Sequence, residues 1–270
     1  MLECFSGTFV VRDNLILNRY VRETLDSGYG PPTYFIYYQD WNDEGHGKPS
    51  LCRQTLLEFD CQTIHIGDCK ELSYFIPRDL AKLFVENNHQ WECFCAPLSS
   101  NCPSALKQIR IAYCTNLKSL FCLSCSLCAN IESLQYLSLY CLKSLTAICQ
   151  EDIANLMPPP SPRGIFSYLK RFDIKGCPGI KTLLTPSLVP LLQNLEFLSV
   201  SDCNSMEQIF AESYDDGIKI TLPKFTTLLV RHLPKLKMVC NGILVCKSGF
   251  KLDITDCPNS CQPRIEYVAL

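Results

Sequence analysis

"LEFLSVSDCNSM", residues 195–206, decides how this chain folds. Leu198 and Val200 flank a polar Ser199, the two-residue period of a strand with one buried face. Leu195 stands three positions before Leu198, Cys203 three after Val200, and Met206 three after that. The spacing returns in "IHIGDCKEL" from Ile64, "IRIAYCTNL" from Ile109, "LSLYCLKSL" from Leu137 and "FDIKGCPGI" from Phe172. It returns again in "LLVRHLPKL" from Leu228 and "LDITDCPNS" from Leu252. In six of the seven copies a further apolar residue lies three positions upstream: Cys61, Leu106, Leu134, Leu169, Leu195 and Phe225. The seventh has Gly249 there, with Phe250 beside it.

The full form, L-x-x-L-x-L-x-x-C-x-x-L, is the leucine-rich-repeat signature. Its alternating part forms a short strand, after which the backbone turns into the core. A small, nearly apolar thiol occupies that turn at little desolvation cost. Cys69, Cys114, Cys177, Cys203 and Cys257 hold the position, and Leu142 and Leu233 hold it in the other copies, which points to packing rather than chemistry. One repeat cannot bury its apolar face alone, so the copies stack. The expected fold class is α/β: a leucine-rich-repeat solenoid with a curved parallel sheet on the concave side and irregular or short helical segments on the convex side. Residues 56–270 form the repeat domain, and residues 1–55 read as degenerate amino-terminal repeats or an edge segment. "TYFIYYQD" (33–40) reads as a strand and "LILNRYVRETL" (15–25) as a helix, with no amino-terminal cap evident.

Copies start 24 to 45 residues apart, so the longer intervals need insertions. "NLMPPPSPRGIF" (155–166) is too proline-rich for helix or central strand. "AESYDDGIKI" (211–220) reads as an acidic loop and "SLVPLLQNLEFL" (187–198) as a short helical turn leading into the next strand. The widest gap, between Ile64 and Ile109, holds either a degenerate copy or a helix around "PRDLAKLFVENN".

Composition narrows the function classes. With 47% hydrophobic residues in 270, the chain buries a sizeable core. A net charge of −2, with Lys and Arg dispersed, gives no nucleic-acid footprint. No run is long and apolar enough for a transmembrane helix, and "MLECFSGTFVVRDN" lacks the features of a secretory signal, so a cytoplasmic location is expected. The 19 cysteines are an odd number without an export signal, which favours reduced, buried thiols over a disulfide framework.

Two patterns invite a sharper reading. "CLSCSLC" places Cys122, Cys125 and Cys128 at zinc-like spacing, but no fourth ligand follows at short range; "CFC" at 93–95 is weaker still. His46, His65, His89 and His232 lie apart, none spaced as half of a nucleophile pair, with His65 and His232 in strand phrases. No catalytic, metal or cofactor residues are assigned. The expected working surface is the concave sheet, with His65, Arg110, Ser138, Asp173, Ser199, Leu229 and Asp253 pointing outward. Two residues upstream of these lie Thr63, Gln108, Tyr136, Arg171, Phe197, Thr227 and Lys251. Such a mixture of aromatic, charged and small polar residues suits protein recognition.

"LVPLLQNLEFLSVSDCNSMEQIF" and "LPKFTTLLVRHLPKLKMVCNGILVCKSGFKLDITDCPN" resemble the carboxyl-terminal leucine-rich repeats of plant coiled-coil nucleotide-binding disease-resistance proteins. The likeness is close over 164–260 and looser over 61–150, with "LNRYVRETLDSGYGPPTYFIYY" similar to a segment that precedes those repeats. It implies a non-catalytic recognition domain that contacts a pathogen effector or a guarded host protein, and that holds a nucleotide-binding domain inactive in an intact receptor. The family's phosphate loop, GxxxxGK[ST], has no counterpart here, so the chain reads as a detached or truncated repeat domain. The alternative is a ubiquitin-ligase substrate adaptor, in which similar repeats follow an F-box. Residues 1–55 have too little helical periodicity for that motif.

Overall fold

The computed structural model describes the strand backbones at 2–5, 8–11, 33–36 and 63–66, and then residues 80–95, 103, 105–122, 131–150, 166–211 and 219–268. The first strands are β1 (Leu2–Phe5), β2 (Thr8–Val11), β3 (Thr33–Ile36) and β4 (Thr63–Ile66). β5 (Lys82–Glu86), β6 (Gln108–Ala112), β7 (Ser119–Cys122), β8 (Tyr136–Tyr140) and β9 (Ala147–Gln150) follow. Next come β10 (Arg171–Lys175), β11 (Thr182–Leu184), β12 (Phe197–Ser201), β13 (Gln208–Phe210) and β14 (Lys219–Leu222). The last are β15 (Thr227–Arg231), β16 (Ile243–Lys247), β17 (Lys251–Thr255) and β18 (Arg264–Val268).

The strands of all seven repeat phrases join one 11-stranded sheet, ordered β1-β2-β3-β4-β5-β6-β8-β10-β12-β15-β17. Only β1 and β2 pair antiparallel; every later pair is parallel, so the chain circles through the core between strands. The signature residues stack in register. Ile109, Leu137, Phe172, Leu198 and Leu228 form one inward row and Ile111, Leu139, Ile174, Val200 and Val230 the next, all at most 1% exposed. Each such side chain contributes roughly 1.5–3 kcal/mol on burial.

The interval between Ile64 and Ile109 holds a degenerate copy, and its described residues 80–95 form no helix. Leu80, Leu83, Val85 and Asn88 take the signature positions, and β5 pairs with β4 and β6. Asn88 stands where other copies carry cysteine; its side-chain oxygen accepts from the backbone N–H groups of Gln90 and Trp91 at 3.0 and 3.2 Å. The cysteines use the turn differently. The thiols of Cys114, Cys177, Cys203 and Cys257 each donate to the carbonyl two residues earlier, at 3.3–3.6 Å. Leu142 and Leu233, fully buried, fill the same place by packing alone. Cys69 lies outside the described residues.

Between the last strand residue and this turn position the backbone goes left-handed in every copy from β5 onward: Asn87, Tyr113, Cys141, Gly176, Asp202, His232 and Asp256 have φ between +53° and +67°. The left-handed step lets each N–H reach the next strand's final carbonyl, as in Tyr113 to Tyr140 (2.9 Å) and Asp202 to Arg231 (3.1 Å). The ladder thus continues through the bend. His232 therefore belongs to a turn and not to the strand face.

A second ladder follows at a constant offset. Eleven residues after the first residue of β5, β6, β8, β10, β12 and β15 come Cys93, Ser119, Ala147, Thr182, Gln208 and Met238. These form β7 paired with β9, β11 with β13, and the bridges Cys93–Ser119, Gln208–Met238 and Met238–Cys261. Near the carboxyl terminus a three-stranded sheet, β14-β16-β18, closes another side. Lys219 and Ile220, expected in an acidic loop, belong to it. Among the described residues the side opposite the main sheet is strands and turns, and Val189–Leu191 is a 3-10 turn within the stretch expected to be a short helical turn. The strand expected in 33–40 is β3; the helix expected at 15–25, the proline-rich stretch to residue 165 and the acidic residues 212–218 lie outside the described residues. Among those described, the chain is a leucine-rich-repeat solenoid.

An aromatic spine runs through these coils: Trp91, Phe94, Phe121 and Phe166 meet edge to face at centroid distances of 6.2, 5.7 and 5.5 Å. Phe250 occupies the place left by Gly249 and packs on Phe225 at 5.1 Å. Gly179 is required by close approach, since a Cβ there would lie 2.4 Å from the Leu145 carbonyl oxygen.

Candidate recognition face

Parallel register carries the outward residues into two rows. Arg110, Ser138, Asp173, Ser199, Leu229 and Asp253 are consecutive Cα partners across β6, β8, β10, β12, β15 and β17. Gln108, Tyr136, Arg171, Phe197, Thr227 and Lys251 form the parallel row. Every one of these residues is half-buried or exposed, while the intervening strand residues face the core from β6 to β15. His65 is in register between Phe35 and Phe84.

The rows are knit together. Arg171 grips Asp173 side-on, Nε to Oδ2 at 2.6 Å and Nη2 to Oδ1 at 3.1 Å, and its guanidinium lies over the Phe197 ring at 4.1 Å. Arg231 reaches Asp253 at 2.6 Å, and this bond, with that from Thr255, holds the Asp253 carboxyl below its ordinary value. Arg110 lies over the Tyr140 ring at 5.1 Å and near Glu86 at 3.5 Å, yet its Nε has no hydrogen-bond partner among the described residues. At the end of the strands His232 stands between Asp202 and Asp256, 3.1 Å from each. His89 Nδ1 lies 3.0 Å from the Thr115 hydroxyl.

The thiols are placed for packing. Interaction with the neighbouring Cys203 sulfur, with burial, raises the Cys177 pKa. Cys93 is raised by its hydrogen bond with Cys95 and by burial, and burial, with the neighbouring Cys240, pushes Cys246 up to about 12. Such groups stay protonated and unreactive at neutral pH. No disulfide joins the cysteines whose side chains are described, and among the described residues no cluster of His, Cys, Asp and Glu is placed to hold a metal. Cys125, Cys128 and the side chain of Cys122 lie outside them. One apolar cavity, lined by residues such as Ile148, Phe172, Leu184 and Leu192, has no polar group in its lining. No helix among the described residues is long and apolar enough to cross a membrane.

Residues 155–259 match the family model of leucine-rich repeats of plant disease resistance protein RPS2-like type. The carboxyl-terminal repeats are similar to those of plant disease-resistance proteins. A probable disease resistance protein of Arabidopsis thaliana, At4g27220, is 30% identical over 93 residues, a stretch covering 33% of this chain and 10% of that protein. The chain thus aligns with only a small part of its plant disease-resistance relative. Among solved structures, the leucine-rich repeat domain of the type III effector XCV3220 (XopL) aligns over 88% of this chain and 82% of its own, with 16% identity and a TM-score of 0.45.

The strand register aligns the residues of both rows from β6 to β17, while the side chains of Thr63 and His65 lie outside the described residues. The signature did not carry the period-three spacing one step further, from Cys114 and Leu117 to Leu120 or from Cys203 and Met206 to Ile209, which marks the second ladder. It also missed Tyr113 and Tyr140 at the strand ends, where exposed or half-exposed aromatic rings adjoin the outward rows.

Proposed function

We propose that the chain is a non-catalytic protein-recognition module of the plant immune-receptor type, working through the outward face of its main sheet. The match of residues 155–259 to disease-resistance repeats carries the reading. The two rows support it: aromatic and arginine side chains, which dominate binding energy in protein interfaces, alternate with small residues that let a partner approach. The partner is a pathogen effector or a guarded host protein in the cytoplasm, or the nucleotide-binding domain of a receptor that such repeats hold inactive.

A two-hybrid screen against effector and leaf libraries, followed by substitution mapping, tests this. Partners are expected to be lost with Phe197→Ala or Ser199→Arg on the face and kept with Lys237→Ala on the second ladder. Partners indifferent to both face substitutions, with the variants folded, overturn the reading.

A further inference from the structure

We propose that β17 is a dimerisation edge, where a second copy of this chain adds antiparallel and extends the main sheet across a two-fold axis. Among the described residues nothing pairs with the outer side of β17 or of β18, so two sheets stop at one coil. That coil is incompletely sealed. Leu252, Ile254, Cys257 and Ile265 are half-buried, whereas Leu228, Val230, Leu233 and Leu244, their equivalents one coil earlier, are fully buried. Backbone groups are left over as well. The Lys251 N–H donates to the Thr226 carbonyl of the preceding coil at 2.8 Å, and alternation along the strand turns the N–H and C=O of Leu252 and Ile254 to the free side. An open edge lined by apolar side chains is a template for another strand.

The residues of the edge select the occupant. "FKLDI", residues 250–254, is complementary to its own reverse. Antiparallel pairing about Leu252 sets Leu252 against Leu252 of the second copy and Phe250 against Ile254 of the second copy, all on the core side. On the outward side it sets Lys251 against Asp253 of the second copy, twice over by symmetry. Residue i meeting j while j meets i is what a two-fold interface requires. The Leu252 pair exchanges both backbone hydrogen bonds, and the Lys251–Asp253 pairs beside it are of the closer, non-hydrogen-bonded kind that suits an ion pair. Centring on Asp253 instead would set two carboxylates face to face. Lys251 stands exposed. Asp253 accepts from Arg231 and Thr255, and a carboxylate keeps acceptor sites for a further donor. The two-fold axis stands normal to the sheet, so both outward faces lie on one side and their rows run on from copy to copy.

Sedimentation equilibrium of the folded chain over a concentration series tests this. The wild type is expected to pass from the mass of one chain to that of two. Lys251→Asp and Asp253→Lys each set like charges across the edge and are expected to weaken the dimer tenfold or more, with circular dichroism unchanged. Mixing the two variants restores opposite charges and is expected to recover dimers to within severalfold of the wild type, which a folding defect would not produce. Deuterium uptake in 250–255 is expected to slow severalfold from dilute to concentrated samples, while staying faster than in β10 or β12 because the dimer dissociates. A monomer at every concentration overturns the proposal, whether the edge is idle, covered by another part of the chain or kept for a different protein. A dimer unmoved by both single variants, or variants that stay monomeric when mixed, overturns it too.

Discussion

At Cys203 and its equivalents, a residue type usually read for chemistry serves instead as a turn filler. Its thiol supplements the bend by donating to a carbonyl that already accepts from the neighbouring coil. Cys246 illustrates the consequence for pH dependence. Its folded pKa, raised by burial to about 12, exceeds that of an unfolded thiol. Its contribution is complete below the unfolded value and is lost as pH climbs towards 12. Urea melts are therefore expected to show stability falling above pH 9, with a shallower fall in Cys246→Val. Gly179 gives a sharper test: Gly179→Ala drives a methyl into the Leu145 carbonyl and is expected to cost about 1–3 kcal/mol in the same melts.

Individual strands report which face is which. Leu198 is fully buried and Ser199 is half-exposed one position later. Leu198→Asp places an unpaired charge in the core and is expected to cost roughly 4 kcal/mol or more, by denaturant titration. Ser199→Asp, beside Asp173 across the ladder, is expected to cost less than about 1 kcal/mol. Strands of the repeat phrase were legible because period two and fixed downstream spacing coincide. β5 was half-hidden, since Asn88 replaces the cysteine that aligned the other copies and Phe84 blurs the alternation. The second ladder escaped because an apolar residue every third position fits neither the helix nor the strand template. β14 escaped because its alternation directly follows an acidic stretch. Contacts between the outward rows, such as Arg171 with Phe197 and Arg110 with Tyr140, depend on register between coils joined by segments of unequal length, and no single phrase encodes that register.

As a whole the molecule is quasi-one-dimensional, with each coil supported by its neighbours. Interior coils have both neighbours; β17, at the edge of the main sheet, has one, and Leu252 and Ile254 are only half-buried where equivalent residues elsewhere are sealed. Amide exchange is expected to be faster in β17 than in β10 or β12, readable by mass spectrometry of the native chain. Stacking also sets the spacing of the outward rows, since neighbouring strands lie about 4.8 Å apart. Paired cysteine substitutions measure that arrangement most directly, because a disulfide needs Cα atoms within about 7 Å. Ser199→Cys with Leu229→Cys, on adjacent strands, is expected to crosslink on oxidation, and Ser199→Cys with Ser138→Cys, separated by β10, is not. Crosslinking of the second pair without the first would contradict the ladder.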